Sequence, residues 1–126
     1  MYKRQTVDRA LAKARELRLG AIYNLEFVRG DALARMERLD EAEVAFRAEI
    51  AAFPPNLNPY ASLAVIRFLK GDRPEVDRLM EEMYRANPVP RACLTAATTY
   101  DTFGEKGRAA EWRRRAAPPA PGGAGR

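Results

Sequence analysis

Few residues in this chain could do chemistry, and their types narrow the choice quickly. There is one thiol, Cys93, and no histidine. A histidine general base, a Ser-His-Asp triad and a Cys-His pair are therefore excluded. A four-ligand zinc site and an intrachain disulfide cannot be assembled either. Cys93 sits in an Ala-rich helical segment, where a lone cysteine acts as a small buried hydrophobe. The acidic run Glu37, Asp40, Glu41 and Glu43 lacks the Gly-centred loop of a calcium site and reads as helix-start chemistry. The glycines of the body occur singly, so no phosphate-cradling loop is present. Arg113-Arg114-Arg115 beside Trp112 has the chemistry to touch phosphate, but it also suits the polar outer face that a terminal repeat needs. No catalytic residue, metal ligand or cofactor site is expected.

The net charge of +5 does not make the body basic. Lys3 and Arg4 contribute +2, and residues 105–126 carry six basic and two acidic side chains. Residues 6–104 hold 14 basic and 15 acidic side chains, a balance of −1. A nucleic-acid binder is expected to place its charge on the folded face. Weak nucleic-acid binding through the basic termini is thus a distant alternative. No run of 18 apolar residues exists, and no apolar stretch follows Lys3 and Arg4 as a secretory signal requires.

The elements that must position these residues are helices. Ala, Arg, Glu and Leu dominate, whereas Val, Ile and Thr are too scattered for strands. Pro54 and Pro88 stand 34 residues apart, and at that offset Phe46 meets Met80, Ala42 meets Val76 and Glu43 meets Asp77. A third copy fits at 33, with Gly71 on Gly104, Val76 on Ala109, Leu79 on Trp112 and Met83 on Ala116. The lost residue falls around Pro88-Val89-Pro90. Ala42, Ala45, Phe46, Ile50 and Phe53 follow a helical period, as do Val76, Leu79, Met80, Met83 and Tyr84. Asp40 with Glu43, and Asp72 with Glu75, read as N-cap and capping-box partner. Asn58-Pro59 reads as N-cap plus first-turn proline. Glu43–Arg47 and Glu81–Arg85 are expected as outward i,i+4 pairs.

Seven helices follow. A leading one covers roughly 6–18, and pairs cover roughly 21–37 with 40–53, 58–70 with 73–86, and 90–103 with 105–116. The segment 60–69 is apolar on nearly every face and belongs at the crowded centre. The expected fold is all-α: an α-solenoid of antiparallel helix pairs, about three repeats plus the leading helix. The repeats span 21–56, 57–89 and 90–116, and 117–126 form a Pro/Gly-rich disordered tail.

A helix–turn–helix repeat of this length closing on proline resembles the tetratricopeptide repeat. The family's small residue, alanine, aromatic and proline correspond to Gly30, Ala42, Phe46 and Pro54 in the first copy. In the second they correspond to Ala64, Val76, Met80 and Pro88, and in the third to Ala97, Ala109 and Arg113 with no proline. Glu26 and Arg29 stand where the pattern is apolar. The resemblance implies a concave groove lined by Asn24, Phe27, Asp31 and Ala34; by Asn58, Ala61, Val65 and Phe68; and by Arg91, Leu94, Thr98 and Asp101. It implies a protein or peptide ligand, an extended segment or a helix, with Phe27 and Phe68 either anchoring it or packing between repeats. The Lys/Asn/Arg cluster that clamps a C-terminal carboxylate in some members is missing.

Asn24 to Leu33, followed by the repeat to Pro54, is also similar to tetratricopeptide segments at the C-terminal end of larger bacterial proteins, including sulfatase-like hydrolases. On that reading the chain is an appendage braced against an enzyme domain encoded upstream. Met1-Tyr2-Lys3-Arg4-Gln5 resembles the translation of GTG TAT AAG AGA CAG, the end of a transposon used in sequencing libraries. Residues 1–5 are therefore expected to be a non-native scar, and the protein to extend upstream. Residues 6–20 would then be the remnant of a preceding repeat whose apolar side invites self-association.

Overall fold

The structure, a computed structural model, describes residues 22–117 together with Arg9. The expected leading helix, the residues of the scar and the tail beyond Ala117 lie outside the described residues. Six helices are present among the latter: α1 (Leu25–Arg35), α2 (Leu39–Ala52), α3 (Asn58–Leu69), α4 (Arg73–Ala86), α5 (Pro90–Thr102) and α6 (Lys106–Ala116). They pack in three antiparallel pairs, α1/α2, α3/α4 and α5/α6, and no strand occurs among the described residues. Helix α1 starts later than its apolar pattern suggests. Asn24 adopts a left-handed φ of 70°, which ends helical geometry on its N-terminal side.

The repeat is written in the backbone as well as in the residues. Left-handed φ values occur at Glu37 (59°), Gly71 (79°) and Gly104 (77°), spaced by 34 and then 33 residues. Each ends an inner helix with the same pair of hydrogen bonds. The N–H of the left-handed residue donates to Ala34, Phe68 or Asp101, and the next N–H donates to Leu33, Arg67 or Tyr100. That is the Schellman closure. The following residues, Arg38, Asp72 and Glu105, share φ near −96° and open the outer helices alike. The shortened period arises where expected. Phe53 and Asn87 end outer helices with matching dihedrals at an offset of 34, while the buried Tyr60, Leu63 and Ala64 match Cys93, Ala96 and Ala97 at 33. The missing residue lies in the connection around Pro88-Val89-Pro90.

Some local expectations are corrected by this register. Asp72 does cap α4, accepting from the Glu75 N–H. Asp40 does not cap α2: the period sets Arg38 in the capping place, and Asp40 in the first turn binds Lys70 instead. Leu57, not Asn58, stands at the head of α3. The anticipated i,i+4 ion pairs give way to pairs between helices. Arg47 of α2 reaches Glu75 and Glu82 of α4, Arg115 of α6 reaches Glu81, and Glu43 takes Arg67 and Lys70.

The core runs through all three pairs and includes Leu33, Phe46, Tyr60, Leu63, Leu79, Met80, Met83, Tyr100 and Trp112. Cys93 is fully buried there, and burial pushes its thiol up. Inner helices α1, α3 and α5 pack directly on one another in sequence, whereas the outer helices α2, α4 and α6 make no close backbone approach to each other. Close spacing on one side and wide spacing on the other makes the α1–α3–α5 face the concave one. The outer side is bridged by side chains, among them Arg47 to Glu82, Asn87 to the Pro54 carbonyl and Tyr84 to Trp112.

Candidate binding groove

The concave face is set by how α3 is used. Its apolar residues divide between burial and exposure: Tyr60, Leu63, Ala64 and Ile66 face inward, while Val65 and Leu69 remain exposed. These two lie one helical turn apart, so they form a short apolar stripe flanked by α1 on one side and α5 on the other.

Two depressions lie along α3, one touching it at Ala61 and the other walled by Val65 and Leu69. The first, about 290 Å³, lies between α3 and α5 and is lined by Ala61, Arg91, Leu94, Thr95, Thr98 and Thr99. The second, about 220 Å³, lies on the α1 side and is lined by Asp31, Ala34, Leu39, Val65, Ile66 and Leu69 among others. Seven of the residues expected on the groove thus line two adjacent hollows: Asp31, Ala34, Ala61, Val65, Arg91, Leu94 and Thr98. Leu94 is half exposed. The hydroxyls of Thr95 and Thr99 are bonded back to Arg91 and Thr95 carbonyls, so of the three threonines the exposed Thr98 keeps its hydroxyl available to a ligand.

The other expected groove residues have work inside the fold. Phe68 stacks on Phe103 with ring centroids 4.1 Å apart and planes within 6°, closing the turn between α5 and α6 against α3. Phe27 packs on Phe46 at 5.7 Å. Both are partly buried against the core. Asp101 receives Lys106 and Arg113, and the Arg113 hydrogen bond holds its carboxyl below the usual carboxylate range. Asp31 is paired with Arg35 at 2.9 Å. Asn58 is exposed at the rim. Glu26 and Arg29, out of keeping with an apolar pattern, pair with each other at 3.5 Å.

Asn24 belongs to a polar knot that the groove assignment did not anticipate. Its N–H donates to Glu49 Oε2 at 2.8 Å, and its side-chain oxygen accepts from Asn56 Nδ2 at 2.9 Å. Asn56 Nδ2 also reaches Glu49 Oε2 at 3.1 Å. Glu49 is fully buried, and its Oε1 has no hydrogen-bond partner among the described residues. At an offset of 34 its counterpart is the apolar Met83, and that mismatch is the only signal in the sequence.

No group of His, Cys, Asp and Glu suited to a metal occurs among the described residues. No described helix is long and apolar enough to cross a membrane. The basic run at the end of α6 is tied into the fold. The Arg115 guanidinium lies 3.8 Å from the Trp112 ring and 4.7 Å from that of Tyr84 while it binds Glu81. No protein-family model matches the chain, and no curated protein matches it either.

Proposed function

We propose that this chain is a non-catalytic protein-interaction module, a tetratricopeptide-like solenoid that takes a peptide or helix of another protein on the face formed by α1, α3 and α5. The observation that carries the reading is the pair of hollows on the two sides of α3, one walled by the exposed Val65 and Leu69 and the other by the exposed Leu94. Solvent-exposed apolar side chains beside a depression are where burial by a partner gains most. Leu94, Val65 and Leu69 supply that surface, and Thr98, Asn58 and Arg91 supply polar groups at its edge. The module needs no cofactor and no metal for this role.

The test is selection from a displayed random-peptide library against the immobilised chain, followed by affinity measurements on the selected peptides. Leu94→Asp is expected to weaken them at least about tenfold, because it places a desolvated charge under the ligand. Val44→Asp, at a still more exposed site on the outer helix α2, is expected to leave them unchanged. Selected peptides that lose affinity on Val44→Asp and not on Leu94→Asp would move the site to the convex side and overturn the assignment.

A further inference from the structure

Charge on the inner helices is almost entirely satisfied within the chain. On α1, Arg29 pairs with Glu26, and Arg35 with Asp31. On α3, Arg67 pairs with Glu43 and Asp72. On α5, Asp101 is held by Lys106 and Arg113. Arg91 is the exception: among the described residues, its guanidinium is the one cation on these three helices with no carboxylate against it, and it lines the hollow between α3 and α5. Its neighbours there, Ala61, Leu94 and three threonines, are neutral. The hollow on the other side of α3 is mainly apolar, lined by Ala34, Leu39, Val65, Ile66 and Leu69, and its one charge, Asp31, is already neutralised by Arg35.

Resting on the interaction reading above, we infer that the ligand is an internal peptide segment carrying an acidic side chain, Asp or Glu, that pairs with Arg91, and a large apolar side chain that fills the hollow on the α1 side of α3. The spacing between the two follows from the geometry. Adjacent packed helices stand about 8–10 Å apart. The first hollow centres near the level of Ala61 and the second near Val65, one turn or about 6 Å further along α3. The diagonal is therefore about 10–12 Å, which an extended chain covers in three to four residues at about 3.3 Å each. The ligand crosses α3 over Ala61 and Val65, a small residue and a β-branched one, where the backbone of a peptide can lie close. A single guanidinium with one free hydroxyl, Thr98, suits a side-chain carboxylate: Arg supplies two parallel donors to it.

A positional-scanning library of short, labelled, end-blocked peptides tests this, read by fluorescence anisotropy on the chain and on Arg91→Glu. Arg91 is exposed, so the variant is expected to fold, and its circular dichroism checks that it does. The expected result is a preference for Asp or Glu three or four residues from Leu, Ile or Phe. Arg91→Glu should weaken those peptides about tenfold or more and favour Lys or Arg at the same place. Peptides that bind with no acidic preference, or whose preference survives Arg91→Glu, would overturn this inference and leave the interaction reading standing. A library from which no peptide binds would overturn both.

Discussion

The backbone of Gly30 lies so close to the Phe46 ring that a Cβ at residue 30 would stand 2.6 Å from Cε1 and 2.7 Å from Cδ1. The α1/α2 pair is locked at this point, where α3/α4 uses Ala64 and Met80. Gly30→Ala is expected to destabilise the fold by about 1–2 kcal/mol. Overpacking costs roughly 1–3 kcal/mol, and the better helix propensity of alanine offsets up to about 1 kcal/mol. Urea unfolding of Gly30→Ala, Phe46→Leu and the double variant checks the assignment. The double variant should be more stable than the two single costs predict, because the smaller side chain removes the clash.

Glu37 occupies the left-handed position that Gly71 and Gly104 fill in the other two turns. A side chain there carries a strain of about 1–2 kcal/mol. Glu37→Gly is therefore expected to raise stability by up to about 1 kcal/mol, the gain being reduced by glycine's larger unfolded-state entropy. Gly71→Ala and Gly104→Ala should each lower it by about 1 kcal/mol through strain alone, since nothing lies within 4 Å of an added Cβ at either site. Thermal unfolding of the three variants side by side tests the equivalence of the turns.

Glu49 distinguishes a buried charge from a buried acceptor. Glu49→Ala strands the Asn24 N–H and takes one of two acceptors from Asn56 Nδ2, and should cost about 1–3 kcal/mol. Glu49→Gln keeps an acceptor for both and removes a carboxylate that has no cation partner among the described residues, so it should be neutral or stabilising. If Gln proved as damaging as Ala in chemical denaturation, the charge itself would be holding the knot.

Tyr100 gives the fold an alkaline limit. Its hydroxyl donates to Asp77 Oδ1, and burial, then the Asp77 hydrogen bond and charge, raise its phenol well above the ordinary value. A group raised in the folded state lends stability that is complete below its unfolded value, about pH 10, and is lost as pH climbs toward the folded value. Burial also raises the phenol of Tyr60, so spectroscopic titration is expected to show two late-ionising phenols, and Tyr100→Phe should remove one of them.

The repeat was legible because it is built from residues whose roles are local. Pro54 and Pro88 stop helices, Gly71 and Gly104 turn them, and the apolar period of α2 and α4 faces one way. What stayed hidden depends on partners far along the chain. Asp40 has the side chain of an N-cap, yet Lys70, thirty residues on, claims it. Glu43 reads as a surface acid, but two cations from the α3 end draw it into a pocket of charge. On the groove, the tetratricopeptide resemblance pointed to Asp31, Ala34, Ala61, Val65, Arg91, Leu94 and Thr98, which line the two hollows. It also selected Phe27 and Phe68, whose rings have partners within the chain, because period does not reveal which aromatic finds another aromatic across a turn.

The most direct test of the interaction groove is an isotope-resolved NMR titration of the labelled chain with a library-selected peptide. Amide shifts are expected to concentrate at Ala61, Ser62, Val65, Leu94, Thr95 and Thr98, with Val44, Arg78 and Glu111 on the outer helices unmoved. Shifts confined to the outer helices, or spread evenly over the chain without saturation, would contradict a binding groove on the α1–α3–α5 face.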